Sequence, residues 1–470
     1  MTQPKGWSPA DGDAMRRDEL TMLTTLTCAV FVILLNETLT GVSLTVIAHE
    51  LGTHVGDSQW ATSAYMLTLA VLLPLTGSLL NRHRTRTIFR WSCGLLAVGV
   101  VISATAPTIA WLVAGRVIQA AGSVAVIPML LTTILRTSTP GGRGRALSIA
   151  GLTTAVAPAL GPAAAGMVLA LTGWRGLFLL QLPLYLGLFI AAPLLRRDLR
   201  TGQSDGGFDL PSIALSVPGF GGVVVAAASV GAPVGLPALA CGLLGISAFA
   251  WRQRALGPSR ATLDLSTIRR RGFAPSALTL ALVLVALFGA FALFPLLLLG
   301  TAHLTPLQAG LLMLPGGLLM GAVAPSAGRA ADRGLGRVVI VSALVLLACG
   351  LTGCAVAANE SAEWPVWFGL HLLIGFAFGL LMTPLYSRAL AHVPEPQHAH
   401  ASALLGITQQ LAAATGTASA IALAGIGGRV PGTPGADGSV ISLAVGAAIV
   451  LVATALAYVG GVGRRMPPSA

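Results

Sequence analysis

Apolar runs of about 20 residues follow one another along almost the whole chain, and most charged residues lie in the short segments between them. A helix that crosses a bilayer needs about 20 consecutive, predominantly apolar residues. The runs that meet this requirement are 22–46, 59–80, 87–106, 109–133, 146–171, 174–195, 211–230, 234–251, 273–299, 305–331, 338–358, 364–390, 400–425 and 440–461. The sequence therefore predicts an all-α membrane protein with 14 transmembrane helices.

The composition excludes a water-soluble or a disordered chain. Only 9% of the 470 residues are charged, against about 25% in ordinary globular proteins. Hydrophobic residues make up 55%, and the mean hydropathy is +0.82. The 16 acidic and 28 basic side chains could not cover a soluble protein of 47.7 kDa. Most of the surface is therefore expected to face lipid. The apolar content also excludes a disordered chain, because disordered chains are poor in apolar residues.

The basic residues fall on one side of the predicted membrane. If the N-terminus is cytoplasmic, 25 of the 28 lie in cytoplasmic segments. Arg175 and Arg429 lie outside, and Arg116 lies within a span. Cytoplasmic loops carry the excess of Lys and Arg in membrane proteins, so we predict an N-in/C-in topology. The net charge of +12 is spread over these short segments, which favours contact with anionic lipid and not with nucleic acid.

An internal repeat divides the chain into two halves. The segment Gly77-Ser-Leu-Leu-Asn81-Arg82-His-Arg-Thr-Arg86 follows span 2, and Gly328-Arg-Ala-Ala-Asp332-Arg333-Gly-Leu-Gly-Arg337 follows span 10. Two six-helix halves with two inserted helices between them account for 14 spans, and such duplication is typical of transporters. The predicted division is a cytoplasmic tail 1–21, a first half 22–195, an inserted pair with its loops 196–272, a second half 273–461 and a tail 462–470.

Five segments resemble motifs of the major facilitator superfamily, in its fourteen-span drug:proton antiporter branch. They are the loop motif 77–86, the span-4 motif 112–122, the span-5 motif 158–166, the start of span 6 at 173–178 and the Leu-Asn-Glu-Thr sequence 35–38 of span 1. The Leu-Asn-Glu-Thr sequence is similar to the corresponding segment of lincosamide-type exporters. Asn81 stands where the family usually has Asp, and the second-half copy keeps the acid as Asp332.

The resemblance implies a major facilitator fold and a proton-coupled antiporter that exports amphipathic drugs or antibiotics across the bacterial cytoplasmic membrane. One alternative is a dedicated exporter of one endogenous metabolite or lipid, and another is a non-transporting membrane scaffold or sensor. No P-loop, GxSxG or HExxH pattern occurs, so we expect neither an ATPase nor another enzyme. No cofactor or metal is expected. The expected partners are a small amphipathic substrate, protons and the lipid bilayer, and the protein is expected to be a monomer.

Glu37 and Arg116 are the candidates for proton coupling. Glu37 is the one acid well inside a predicted span, and Arg116 is the one deep base. A charge in hydrocarbon costs several kcal/mol unless it faces a cavity or a partner. At a rise of 1.5 Å per residue the two lie at similar depth, so we expect them to interact. The alternative for each residue is a purely structural role in helix packing.

Two further sets have gating roles that the resemblance implies. Pro158, Gly161, Pro162 and Gly166 of span 5 would form a hinge or a seal, since Pro kinks a helix and Gly permits close approach; ordinary kinked packing is the alternative. The cytoplasmic loops would hold a lock that stabilises the outward-open state, although their arginines could serve topology alone. The lock residues are Gly77, Arg82, Arg86, Gly328, Asp332, Arg333 and Arg337.

Polar residues on the spans are candidates for the substrate cavity. His371 lies in span 12 and could titrate near neutral pH, but a buried, neutral, hydrogen-bonded histidine is the expected role. Gln119 follows Arg116 by one turn and could line the cavity or bridge helices. The candidates are Asn36, Tyr65, Gln119, Gln181, Tyr185, His371, Tyr386 and Gln409.

Overall fold

The computed structural model describes residues 9–137, 140–195, 209–257, 263–270, 272–391, 393–394, 397–426 and 436–459, and every regular element in these ranges is helical. The first-half α-helices are α1 (Pro9–Val42), α2 (Leu44–Glu50), α3 (Val55–Ser58), α4 (Trp60–Leu72), α5 (Thr76–Arg82), α6 (Thr85–Ala104), α7 (Ile109–Ser123), α8 (Val126–Thr137), α9 (Pro140–Leu179) and α10 (Leu182–Ala191). The remaining α-helices are α11 (Leu210–Ala228), α12 (Gly235–Leu256), α13 (Phe273–Gly300), α14 (Pro306–Ala330), α15 (Gly336–Asn359), α16 (Trp364–Leu390), α17 (His398–Ala424) and α18 (Ala436–Val459). Short 3-10 turns cover Leu73–Leu75, Ala192–Leu194 and Leu265–Arg269, and one π-turn covers Ala331–Leu335.

Twelve helical segments in the described ranges are long and apolar enough to cross a membrane, where the sequence predicts 14. One of them, 160–194, is 35 residues long. It contains Gly173, whose φ of 72° and ψ of −178° interrupt the helix. The 27-residue helix α17 is not among the twelve. Helix α1 begins at Pro9, within the segment 1–21 that the sequence assigns to a cytoplasmic tail.

Local sequence signals place the ends of two helices that matter for the site. Thr108 precedes α7 in an extended conformation, and its side chain accepts a hydrogen bond from the backbone N–H of Trp111. Thr305 precedes α14 and forms a reciprocal capping box with Gln308, with Pro306 at the first helical position. Capping satisfies backbone groups that a helix start leaves free. These caps fix where the helices that carry Arg116 and Pro306 begin.

Each half has its own apolar core. The first-half core joins buried side chains of α1, α6, α7, α8, α9 and α10. The second-half core joins α13 to α18 and also takes in Leu44 and Ala48 of α2 and Val55 of α3. The two halves meet along two seams, one between α9 and α14 and one between α4 and α17.

The inserted helices lie against the second of these seams. Helix α11 packs on α12 and also contacts both α4 and α17, whereas α12 packs chiefly on α11. The crossing of α11 and α12 is close because glycines meet there: a Cβ at Gly222 would lie 2.5 Å from the backbone nitrogen of Gly242. The inserted pair therefore covers the α4–α17 seam on its outer surface.

Candidate functional site

Arg116 is the centre of a buried polar cluster in the first half. Its side chain is fully buried on α7. Nε donates to the backbone carbonyl of Ala61 at 3.0 Å, and Nη1 donates to Asn36 Oδ1 at 2.8 Å and to Gln119 Oε1 at 2.9 Å. The guanidinium carbon lies 4.2 Å from the centroid of the Tyr65 ring. Neutral oxygens and an aromatic face thus replace the water that burial removes from Nε and Nη1, whereas the buried Nη2 has no hydrogen-bond partner among the described residues.

The partners of Arg116 are themselves held in place. Asn36 Nδ2 donates to Gln119 Oε1 at 3.0 Å, and Gln119 Nε2 donates to Ser103 Oγ at 2.8 Å. The Tyr65 hydroxyl donates to Ser123 Oγ at 2.9 Å. A connected network of this kind specifies one arrangement of its side chains.

Most first-half cavity candidates belong to the interior of this half. Asn36, Tyr65, Gln119 and Tyr185 have no exposed surface, and Gln181 has 2%. The Tyr185 hydroxyl donates to Gln181 Oε1 at 3.2 Å, and Gln181 Nε2 donates to the Leu177 carbonyl at 2.8 Å. In the described conformation these side chains position helices and do not form an open wall.

Glu37 faces a different direction from Asn36. Successive residues on a helix point about 100° apart, so when Asn36 faces α7, Glu37 turns towards the second half. Its half-buried carboxylate lies beside the Gln410 amide of α17 and is electrostatically coupled to Arg116. No ion pair within 4 Å joins Glu37 to Arg116, both of which the structure describes. Asn36 therefore makes the direct contact with Arg116 that the sequence led us to expect of Glu37.

The second-half candidates form two separate contacts. His371 is 5% exposed, and its Nε2 lies 2.9 Å from the Met313 carbonyl. Its ring packs 4.8 Å from the Phe294 ring centroid, and its Nδ1 has no partner. The Tyr386 hydroxyl donates to Gln409 Oε1 at 2.5 Å. His371 is thus a buried, hydrogen-bonded histidine.

The span-5 residues pack closely against α1 and α14. A Cβ on Gly161 would overlap the Thr38 side chain, directly after Glu37. A Cβ on Gly166 would overlap the Pro306 carbonyl, and one on Gly310 would overlap the Pro162 carbonyl. The side chain of Pro158 lies outside the described residues.

The overlaps at Gly166 and Gly310 are reciprocal, because Pro162-x-x-x-Gly166 of α9 crosses Pro306-x-x-x-Gly310 of α14. Thr38, Ser103, Ser123 and this second proline–glycine pair were not among the sequence candidates. The shared proline–glycine spacing is a signal that could have identified Pro306 and Gly310. The hydroxyl-bearing residues have no comparable signal.

Two of the predicted lock residues, Arg86 and Arg337, contact residues of their own half. Arg86 Nη2 donates to the Pro193 carbonyl at 3.0 Å, and the Arg337 guanidinium lies 4.3 Å from the Tyr458 ring centroid. Arg333 is exposed, and a Cβ on Gly77 would meet open space. Arg82 ends α5, and a Cβ on Gly328 would lie 3.3 Å from Thr383. The Asp332 side chain lies outside the described residues, so the lock stays a prediction.

No group of three or more His, Cys, Asp or Glu side chains suited to a metal ion occurs among the described residues. Glu50, Trp174 and Arg175 form a separate cluster, in which Arg175 Nη1 and Trp174 Nε1 each lie 2.9 Å from Glu50 Oε2. This cluster ties the end of α2 to the break at Gly173. It therefore positions helices within the first half.

Comparison with known proteins agrees with the motif resemblance. The family model of the Major Facilitator Superfamily matches residues 26–417. The lincomycin resistance protein LmrB of Bacillus subtilis is 28% identical over 414 residues, 86% of this chain and 85% of that protein. The puromycin resistance protein pur8 of Streptomyces alboniger is 30% identical over 410 residues, 84% and 80% of the two chains. A solved structure of the peptide transporter POT has a TM-score of 0.67 at 16% identity and covers 96% of this chain and 99% of its own.

Proposed function

This chain belongs to the Major Facilitator Superfamily, and on that premise we propose that it is a proton-coupled antiporter that exports amphipathic drugs or antibiotics across the bacterial cytoplasmic membrane. The observation that carries the proposal is the position of Glu37. It is an acid on α1 that faces α17 of the opposite half, within the field of the buried Arg116. Relatives named for resistance to lincomycin and puromycin support the class of substrate.

The arrangement suits a carboxylate that takes up and releases one proton in each cycle. Glu37 lies between halves that must separate alternately on the two sides of the membrane, so it would meet each solution in turn. Arg116 is held by Asn36, Gln119 and Ala61. The cation therefore has neutral partners whether Glu37 is charged or protonated. In this cycle Arg116 stays in place, and its charge assists loss of the proton from Glu37 at a distance.

Fourteen membrane helices with both termini inside the cell are part of the proposal. Division of the 35-residue segment 160–194 at Gly173 adds one span to the twelve. Helix α17 adds another, since it packs between α13, α4 and α18. The distribution of the arginines supports this orientation.

The gate and the lock complete the proposal. The crossing of α9 with α14 would be a seal that opens when the halves part, and the loop arginines would pair across the halves in the opposite state. The close backbone approach at Gly166 and Gly310 supports the first of these roles.

The direct test is ΔpH-driven accumulation of ethidium in everted membrane vesicles. Glu37→Gln keeps the size and hydrogen bonding of the side chain but cannot titrate, so accumulation should stop while ethidium binding to purified protein persists. Glu360→Gln changes an exposed acid at the end of α15 and serves as the control. Accumulation by Glu37→Gln at the unsubstituted rate would show that the proton travels elsewhere, and His371 would be examined next.

The same system separates the alternatives. A growth panel with lincomycin, puromycin, ethidium and a quaternary amine should show resistance to several of these compounds. Resistance to none of them, with export of one endogenous metabolite or lipid, would identify a dedicated exporter. Absence of any transport would favour a scaffold or sensor.

A further inference from the structure

The loop that precedes α13 is fastened to the start of α17 by polar contacts. Gln397 Nε2 donates to Asp264 Oδ2 at 2.9 Å and lies 3.4 Å from Ser266 Oγ. The backbone N–H of Asp264 donates to His400 Nδ1 at 3.3 Å, and Arg270 Nε donates to Gln397 Oε1 at 3.3 Å. Asp264 is 8% exposed. These bonds join the loop to the helix whose later turns carry Gln409 and Gln410.

The same loop is joined to the inserted helices. The backbone N–H of Leu263 donates to Gln253 Oε1 of α12 at 3.0 Å, and Gln253 Nε2 donates to Ser212 Oγ of α11 at 2.7 Å. Arg252 Nη2 pairs with Asp209 Oδ1 at 2.7 Å. A continuous set of hydrogen bonds and one ion pair therefore runs from α11 through α12 and the loop to α17.

The contact between the inserted helices and α4 is of another kind. Phe220 and Phe249 pack with Ala70 and Val71, and a Cβ on Gly221 would lie 3.8 Å from Leu67. Among the described residues, Ser63 and Thr68 of α4 bond within their own segment, Tyr65 bonds to Ser123 of the first half, and Thr62 Oγ1 has no hydrogen-bond partner. In the part of the chain that the structure describes, no hydrogen bond joins α4 to the inserted pair, so the contact between them is apolar.

Hydrogen bonds are directional and weaken within a few tenths of an ångström, whereas apolar contact depends on area and not on alignment. A buried polar network therefore resists displacement, and a smooth apolar face can slide at little cost while its area stays covered. Helix α4 is bonded to the first half through the Ala61 carbonyl and Tyr65. The polar bonds thus group the inserted pair with the second half, and α4 with the first.

We propose that the inserted helix pair moves as one body with the second half and slides over α4 in each transport cycle, with Asp264 and Gln397 as the residues that fasten it. The inference rests on the proposed function, because it requires the two halves to move against each other. Its consequence is that α11 keeps the α4–α17 seam covered against lipid while the two helices part. Asp264 acts through α17 and is a positioning residue.

Two cysteine pairs test which contact is fixed and which one slides. Both are placed in a chain whose five native cysteines are replaced, and both are joined by the same short bis-methanethiosulfonate reagent. Ser266→Cys with Gln397→Cys bridges the polar fastening, and Leu67→Cys with Gly221→Cys bridges the apolar face. The cross-linked 266/397 protein should keep most of its ethidium efflux. The cross-linked 67/221 protein should lose at least about tenfold and recover when the link is reduced.

The reduced 67/221 form shows that this variant is folded and active, so a loss after cross-linking reports restrained motion. In the 266/397 pair the link itself replaces the bonds that Gln397 makes. Any other pattern overturns the proposal. A block by the 266/397 link means that the inserted pair does not stay with the second half. Normal efflux through the 67/221 link means that the pair does not slide on α4.

A distance measurement separates failure of this inference from failure of the proposed function. Spin labels at Val234 and Ile426 connect the outer ends of the inserted pair and α17, and labels at Val234 and His54 connect the inserted pair to the first half. The first distance should be the same in Glu37→Gln and the unsubstituted protein, and the second should shift. A shift in the first distance overturns the inference even if ethidium is not a substrate, because the measurement needs no transported compound.

Discussion

Arg116 donates its Nη1 hydrogen bond to Asn36 and not to the adjacent Glu37: Nη1 lies 2.8 Å from Asn36 Oδ1. The neutral amide accepts one hydrogen bond from the cation, while the acid one residue later faces Gln410 in the other half. About 100° of rotation on α1 thus separates the neutral partner of the buried Arg116 from a titratable group. The predictions below follow from this arrangement and from the packing around it.

Removal of the Asn36 amide should weaken the first half. Asn36→Ala leaves the buried guanidinium of Arg116 without one acceptor and Gln119 without one donor. An unsatisfied buried polar group costs about 1–3 kcal/mol. The thermal unfolding midpoint in nanodiscs should fall, and efflux should fall with it. Asn359→Ala, at an exposed position, is the control, and equal midpoints for the two variants would contradict the role of Asn36.

A double substitution should reveal the functional effect of the contact between Gly161 and Thr38. Gly161→Ala places a methyl group on the Thr38 side chain, so it should displace α1 beside Glu37 and reduce efflux strongly. The Thr38 hydroxyl bonds only within its own helix, to the Leu34 and Leu35 carbonyls. Thr38→Ala should therefore be mild alone and should restore part of the efflux to Gly161→Ala, because it removes the hydroxyl overlap but leaves the Thr38 Cβ 2.7 Å from the new methyl group. Failure of this rescue, with both proteins in the membrane, would reduce the contact to ordinary packing.

The reciprocal crossing of α9 and α14 should tolerate no side chain on either glycine. Gly166→Leu and Gly310→Leu each force the backbones apart, so both should abolish efflux while the protein remains in the membrane. Gly300→Leu is the matched control, since a Cβ there meets nothing within 4 Å. Normal efflux by Gly310→Leu would show that the second proline–glycine pair has no part in the seal.

The ion pair between Arg252 and Asp209 predicts a pH-dependent contribution to stability. Burial alone raises the pKa of Asp209, but hydrogen bonds from Arg252 and Ser212 outweigh it and hold the pKa below its usual value of 3.8. A lowered pKa stabilises the folded state above the unfolded value, and the gain is lost as pH falls through the folded value.

Asp209→Asn should therefore lower the unfolding free energy by about 1 kcal/mol at neutral pH. The difference from the unsubstituted protein should shrink only below about pH 4. Thermal unfolding in nanodiscs across this range measures it. A difference that is independent of pH would mean that the carboxylate charge contributes nothing.

Cysteine labelling checks the orientation of the inserted helices. Ala232→Cys, between α11 and α12, should react with an impermeant maleimide only from outside the cell. Ser266→Cys, between α12 and α13, should react only from the cytoplasm. The native exposed cysteines Cys28, Cys241 and Cys349 are replaced first. Labelling of both positions from one side would mean that α12 does not cross the membrane and would contradict the fourteen-helix topology.

The sequence alone determined the class of the protein, its family and the burial of Arg116. Bilayer thickness sets the length of an apolar run, and a membrane charge is expensive enough to be recognisable in a linear sequence. The sequence also led us to expect a buried, hydrogen-bonded His371, although it stood among the cavity candidates, and in the structure its Nε2 lies 2.9 Å from the Met313 carbonyl. These are properties of individual residues or runs.

Only the tertiary structure decided which side chains meet. Asn36 and Glu37 are neighbours in sequence, and depth along the helix axis is the same for both to within 1.5 Å. Rotation about that axis separates them, and packing against α7 and α17 fixes this rotation. Likewise, the crossing of Gly166 with Gly310 depends on how two halves of one chain dock. Pairing across helices is set by shape and by the satisfaction of buried polar groups, and neither is a function of position along the chain.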